Sequence, residues 1–96
     1  MSLSFEWNHA KSVSNFAKHG VSFEEASTVF RDSLSATIHD PLHSYESEER
    51  FVTVGLSSRH RLLIVVHCDR KLNIRIISAR RATRRERSVY ENSKEI

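Results

Sequence analysis

The sequence predicts an α+β fold, with an antiparallel sheet of three to five strands, two N-terminal helices and one C-terminal helix. Three observations carry that prediction. Apolar residues from Ala10 to Phe30 recur at helical spacing between recognisable caps. From Leu34 to Ala79 they alternate or run together as strand residues do, and Thr83-Arg84-Arg85-Glu86 then opens another helix. The 96 residues fit one domain spanning 1–96. A chain of that size buries roughly 60–65% of its unfolded surface around a single modest core. Two glycines and one proline are too few for a loop-rich or disordered chain.

Leu3, Phe5 and Trp7 alternate with polar residues and read as a short first strand. Asn8 is placed to cap a helix whose apolar positions are Ala10, Val13, Phe16 and Ala17. Gly20 follows Lys18 and His19, where a left-handed C-terminal cap belongs. Ser22 and Glu25 make a capping box for a second helix, with Val21 and Ala26 as its hydrophobic staple and Phe23, Ala26 and Phe30 along one face. Leu34, Ala36 and Ile38 then switch to period two. Asp40-Pro41 is expected to stop that strand and to leave residues 41–49 as an acidic, mobile loop. Phe51–Leu56 is strand-like, and Leu62–Val66 is apolar on both parities, as in a central strand covered on both faces. Ile74, Ile76 and Ile77 supply the β-branched residues of a strand over Asn73–Ala79. Short connections at Ser57–His60 and Asp69–Lys71 make the last three strands an antiparallel meander.

No apolar run approaches the ~20 residues of a membrane span. The opening MSLSFEWNHAK lacks the basic-then-apolar order of a signal peptide. A lone Cys68 excludes an internal disulfide and disfavours a zinc–cysteine site, so a cytoplasmic protein is expected. His39 and His43 have helical metal-ligand spacing but lie across Asp40-Pro41, and His67-Cys68-Asp69 alternate across a strand. Neither a metal site nor a cofactor is expected.

Charge divides the chain. The net +3 combines residues 1–58, with four Lys/Arg against eight Asp/Glu, and residues 59–87, with ten Lys/Arg against Asp69 and Glu86. Nine of those ten are Arg, whose planar fork grips phosphate oxygens in pairs. Such a block points to a polyanion, nucleic acid above all, or to an acidic protein partner. Within it Arg80, Arg81, Arg84, Arg85 and Arg87 crowd around a helix start. The helix dipole disfavours cations there by about 0.3–1 kcal/mol each. A bound phosphate would remove that conflict; alternatively, these arginines run along solvent or pair with the acidic 41–49 segment. Strand parity adds Arg61, which shares a face with Leu63, Val65 and His67 and neighbours Arg80 and Arg81 across an antiparallel pair. His67 lies toward the opposite edge, as a packed or rim histidine. Lys18 and His19 offer a base or a phosphate ligand at the end of the first helix.

Several stretches together resemble the BrnT family of bacterial toxins from type II toxin–antitoxin pairs. They are Phe5-Glu6-Trp7, Asn15 through Lys18-His19-Gly20-Val21-Ser22-Phe23-Glu24-Glu25-Ala26, and Glu49-Arg50-Phe51 leading to Gly55. The most specific is Ile76-Ile77-Ser78-Ala79-Arg80-Arg81-Ala82 followed by Arg84-Arg85-Glu86-Arg87. The resemblance implies a RelE-like fold and a small ribonuclease that blocks translation. It also implies a cognate ribbon-helix-helix antitoxin, joined in a heterotetramer of two toxins and two antitoxins, with operator DNA bound only through the antitoxin. Cleavage would need no metal: the RNA 2′-hydroxyl attacks the adjacent phosphate, leaving a 2′,3′-cyclic phosphate and a 5′-hydroxyl. The expected catalytic residues are Arg80 and Arg81, with Arg61 and Lys18 assisting. Arg84, Arg85, His67 and His19 complete the expected RNA contacts, and Lys18, His19 or His67 would move the proton.

The alternative is a DNA-binding or protein-docking regulatory module without catalysis. Lys11–Arg31 would then form a helix-turn-helix around Gly20. That segment balances Lys11, Lys18 and Arg31 against acidic Glu24, Glu25 and the following Asp32, and its second helix opens with two carboxylates, a poor match to DNA phosphates.

Overall fold

The computed structural model describes residues 3–45 and 48–93. Its elements are β1 (Phe5–Glu6), α1 (His9–His19), α2 (Phe23–Thr28), β2 (Ala36–Tyr45), β3 (Glu48–Leu56), β4 (Leu62–Arg70), β5 (Asn73–Arg81) and α3 (Arg84–Ser93), with a 3-10 turn at Val29–Arg31. The helix boundaries follow from the caps. Asn8 Oδ1 accepts from the Lys11 N–H, and Ser22 Oγ accepts from the Glu25 N–H. Gly20 ends α1 at φ 70°, in the left-handed region. At α3 the reciprocal bonds between Thr83 and Glu86 close a capping box.

The five strands lie in the order β1-β5-β4-β3-β2. β2 through β5 form an antiparallel meander, while β1 pairs in parallel with β5 through Phe5↔Ile74 and Glu6↔Arg75. The sheet is therefore mixed, not wholly antiparallel. No hairpin links β1 to β5, so no tight turn imposes an antiparallel direction on that pair.

Asp40-Pro41 does not stop β2, which continues to Tyr45. β2 is an edge strand, and there a residue without an N–H costs the ladder little. The register breaks instead, between Asp40↔Arg50 and Tyr45↔Glu48. Ser44 Oγ bridges the break, donating to the Asp40 carbonyl and accepting from the Arg50 N–H. The expected 41–49 loop is thus mostly strand; of it, Glu46 and Ser47 lie outside the described residues.

The core sits between the sheet and α1–α2. Val21, Phe23, Ala26, Val29, Leu63, Val65, Ile76 and Ala79 form it, with Phe5, Trp7 and Phe30 at its margin. A Cβ at Gly55 would stand 2.7 Å from Val29 Cγ1, so glycine is what lets the 3-10 turn settle on β3. α2 buries Phe23, Glu25 and Ala26 against the protein and leaves Glu24 as its one exposed side chain, an acid that repels DNA phosphates, which weighs against the helix-turn-helix reading. α1 also departs from expectation. Val13 and Phe16 are 57% and 55% exposed, and the residue it buries is Asn15. The reason lies in β5, which outruns the two-residue β1 and leaves Ala79 facing an empty edge. Asn15 takes the place of the missing strand, accepting from the Ala79 N–H and donating to the Ala79 and Val21 carbonyls. Satisfying those backbone groups outweighs burying a Val or a Phe.

Candidate active site

The sheet face turned away from α1 and α2 is set by register. Beside α3 the first row across the strands is Ala36, Val54, Ile64 and Arg80. The second is Ile38, Val52, Val66 and Ser78, and a charged third row begins at Asp40 and Arg50. α3 crosses one end of this face. Tyr90 fastens it there by donating to Asp32 Oδ2 at 2.5 Å, an oxygen that also accepts the Leu56 N–H. Burial and the Asp32 carboxylate push the Tyr90 phenol up to about 12. Between α3 and the sheet lies a cleft of about 560 Å³, with an aliphatic floor and Arg80, Arg85, Glu86 and Asp40 on its walls.

Arg80, the penultimate residue of β5, faces the cleft. Its Nη1 and Nη2 donate to the two carboxylate oxygens of Glu86 at 2.7 and 2.8 Å, and Nη1 also reaches the Arg81 carbonyl. The same Glu86 oxygen that meets Nη1 accepts the Thr83 N–H, so one carboxylate caps α3 and clamps Arg80. The Arg80 guanidinium, helped by the Thr83 N–H, holds the Glu86 carboxyl down at about 2. This fork–fork pair is what the sequence reading missed. The capping box revealed Glu86 as a helix-terminal acid, but its spacing from Arg80 is meaningless until β5 and α3 meet. Arg85 lines the same cleft. Arg84 and Arg87 point from exposed positions on α3, and among the described residues Arg84, Arg85 and Arg87 form no ion pair. Among the described residues the acidic segment does not neutralise them, and Glu48 pairs with Arg50.

Arg81, the next residue, belongs to the other side of the sheet. It pairs with Leu63, whose side chain is in the core, while Arg80 pairs with Ile64 on the cleft floor. The adjacent arginines are therefore divided between two faces. Arg61 precedes β4 on the Arg81 side and is committed to Glu25, with Nε donating at 2.9 Å and Nη2 to the second oxygen. Its Nη2 also holds the Gly20 carbonyl at 3.1 Å, next to Lys18 and His19. Glu25 is 5% exposed, and hydrogen bonds from Arg61 and Ser57 keep its carboxyl below the usual range against the effect of burial. Lys18, His19, Arg61 and Arg81 thus gather at one end of the helix-covered face, away from the cleft that holds Arg80.

His67 is in neither group. It is 5% exposed, packed between the rings of Phe30 and Phe51, with Nε2 2.7 Å from Thr53 Oγ1. Burial lowers its pKa and favours the neutral ring. RNA lying on the surface cannot reach it, so the expectation of an RNA contact there is withdrawn in favour of the packed-histidine alternative. Among the described residues no helix is long and apolar enough to cross a membrane.

Residues 7–86 match a protein family described as the ribonuclease toxin, BrnT, of type II toxin–antitoxin systems. No curated protein sequence matches the chain. Among solved structures, the Brucella abortus ribonuclease toxin BrnT is similar, with a TM-score of 0.62 at 19% identity over 86% of this chain and 100% of that one. At that identity the likeness speaks for the fold. With the family match covering most of its length and the fold shared, this chain belongs to the BrnT family of ribonuclease toxins from type II toxin–antitoxin systems.

Proposed function

We propose that the protein is a metal-independent endoribonuclease of RelE-like type that inhibits translation and is neutralised by a cognate ribbon-helix-helix antitoxin, through which alone the pair binds operator DNA. The observation that carries this reading is Arg80, clamped by Glu86 at the mouth of a cleft beside the unpaired Arg85. Glu86 and the Arg81 carbonyl occupy three of the five guanidinium N–H donors of Arg80. Nε–H and one Nη2 hydrogen remain to meet phosphate oxygens.

In the reaction, the RNA 2′-oxygen bonds to phosphorus as the bond to the 5′-oxygen breaks, and negative charge builds on the non-bridging oxygens. A guanidinium fixed in advance beside that charge is worth about 2.7–4 kcal/mol. Glu86 fixes it. The proton leaves the 2′-hydroxyl and a proton reaches the departing 5′-oxygen, each transfer contributing about 10²–10⁴-fold where a side chain assists. The two carboxylates on the cleft walls are both held ionised, Glu86 by Arg80 and Asp40 by His43, so neither supplies a proton readily. Catalysis then rests chiefly on charge stabilisation, which makes for a slow enzyme. Arg85 and Arg84 hold the strand on the cleft side. Arg81, Lys18 and His19 receive flanking phosphates around the end of β5, and Arg61 serves by fixing Gly20. The aliphatic floor takes no part in phosphate binding.

The purified protein is expected to cleave RNA in EDTA and to leave 2′,3′-cyclic phosphate and 5′-hydroxyl ends. Arg80→Ala is expected to slow this by about 10²–10³-fold without lowering the melting temperature by more than a few degrees. Full activity in that variant would remove Arg80 from the reaction; activity that EDTA abolishes would end the metal-free reading.

A further inference from the structure

Single-stranded RNA is held by contacts to its phosphates together with stacking of its bases on aromatic rings. The arginines supply the first, but no aromatic side chain lines the cleft. Most rings of the chain are engaged elsewhere: Phe5, Trp7, Phe23, Phe30 and Phe51 each pack against another ring, and Tyr90 is buried. Phe16 is different. Among the described residues it meets no other ring, and it is the one aromatic among the exposed large apolar side chains. The claim of Ala79 on Asn15 explains why another side of α1 turns outward. It does not explain a phenyl ring there, where a polar residue would cost the core nothing.

The surroundings of that ring are basic. α1 carries Lys11, Lys18 and His19 and no acid, and His19 neighbours Phe16 three positions on. Among the described residues Lys18 and Arg81 form no ion pair. The ring is also firmly placed. The Gly20 N–H donates to the Phe16 carbonyl at 2.8 Å, and Arg61 Nη2 holds the Gly20 carbonyl. Asn15, just before Phe16, bonds Ala79, just before Arg80. An RNA strand that leaves Arg80 and rounds the free edge of β5 comes directly to Phe16.

We propose that Phe16 is a base-stacking platform of the ribonuclease site: a nucleotide flanking the scissile phosphate lays its base on the phenyl ring, with Lys18, His19 and Arg81 along the backbone beside it. The proposal rests on the ribonuclease reading above and adds a subsite for a base. A ring set among cations suits a base on a phosphate chain better than the apolar surface of a protein. Phe16 touches no reacting atom; it holds the strand in place. Every base has a π-face, so the subsite accepts any nucleotide and grips the larger purines more firmly.

The test uses the full-length protein and short 2′-O-methyl RNAs, which lack the attacking hydroxyl, with the fluorescent base 2-aminopurine placed at successive positions. Stacking on Phe16 is expected to quench the probe at one position or an adjacent pair. Phe16→Leu keeps apolar bulk without a ring, and is expected to relieve the quenching and weaken binding about tenfold. Phe16→Tyr is expected to retain both. Leu72→Ala, in the turn at the far end of β5, is expected to change neither. On cleavable RNA the loss in Phe16→Leu should appear in KM, with kcat largely kept. Unchanged quenching and affinity in Phe16→Leu overturn the proposal, and so does an equal loss in Phe16→Tyr, which would mark a packing role. A Phe16→Leu variant that binds RNA like the parent but loses affinity for the antitoxin assigns the ring to the partner, and overturns it too. Should Phe16→Leu fold poorly, the parent decides: an abasic nucleotide at the quenched position is expected to weaken binding by the same factor, and no loss at any position refutes the stacking. A parent that neither binds nor cuts RNA sinks the ribonuclease reading and the subsite together, whereas one that cuts RNA without dependence on the ring loses the subsite alone.

Discussion

The two faces of the sheet are built from alternate residues of the same strands, yet they use their side chains for different ends. On the helix-covered face, Leu63, Val65, Ile76 and Ala79 close a core with α2, and the buried Asn15 and Glu25 are satisfied internally, Asn15 by backbone and Glu25 by Arg61 and Ser57. On the open face, Ile38, Val52 and Val66 meet solvent or a cleft, with Arg80, Arg85 and Glu86 at the α3 end and Asp40 and Arg50 in the row beyond the aliphatic ones. Apolar residues on the first face hold the chain together. Those on the second do much less for stability and are available to a partner. The boundary between these uses runs between Arg80 and Arg81, neighbours in sequence that stand on opposite sides.

The largest effect that tests this contrast is on the covered face. Phe23→Ala is expected to cost about 3–5 kcal/mol in denaturant unfolding, because the side chain is fully buried in a small core. Next comes the division of the arginines: Arg80→Ala is expected to slow RNA cleavage by about 10²–10³-fold, and Arg81→Ala by less than a tenth of that factor, measured on one short RNA in EDTA. Equal losses would mean that both faces contact the reacting phosphate. Asn15→Ala is expected to lower stability by about 1–3 kcal/mol, since it strands the Ala79 N–H and carbonyl. Hydrogen exchange at Ala79 should report that loss directly.

Acid provides a finer probe of the open face. Glu86 titrates near 2 in the folded chain against 4.5 for a free glutamate, so its stabilising pair with Arg80 is present above pH 4.5 and lost as pH falls toward 2. Melting temperatures are expected to drop across that window, and Glu86→Gln should flatten part of the slope. Glu25, Glu6 and Asp40, also depressed, keep the remainder. The smallest expected effect is Ile38→Gln alone, within about 0.5 kcal/mol of the parent in denaturant. A substantially larger loss would show that the open face does contribute to folding.

Local chemistry made much of this legible in advance. The caps at Asn8, Ser22, Gly20 and Thr83 stand where the residues said they would, because a cap is a contact within a few positions of chain. The meander follows from short connections, and of the five arginines around the last helix start Arg80 and Arg85 line a cleft. Two local signals misled. Pro41 is tolerated because β2 lies on an edge, and edge position is a property of the sheet. Val13 and Phe16 carry a helical apolar period that points outward, because the free edge of β5 claims the other side of α1 for Asn15. An asparagine amid apolar helix residues was the available hint.

What the chain determined by itself was everything decided within a turn or a hairpin: caps, strand parity, the concentration of guanidinium groups after residue 58, and its family signature. What only the assembled structure decided was pairing across long separations. Arg61 with Glu25, Arg80 with Glu86 across the β5–α3 junction, and Tyr90 with Asp32 each depend on elements whose packing no spacing encodes. Charged side chains are long and choose partners by where the backbone finally delivers them, so their roles emerge last.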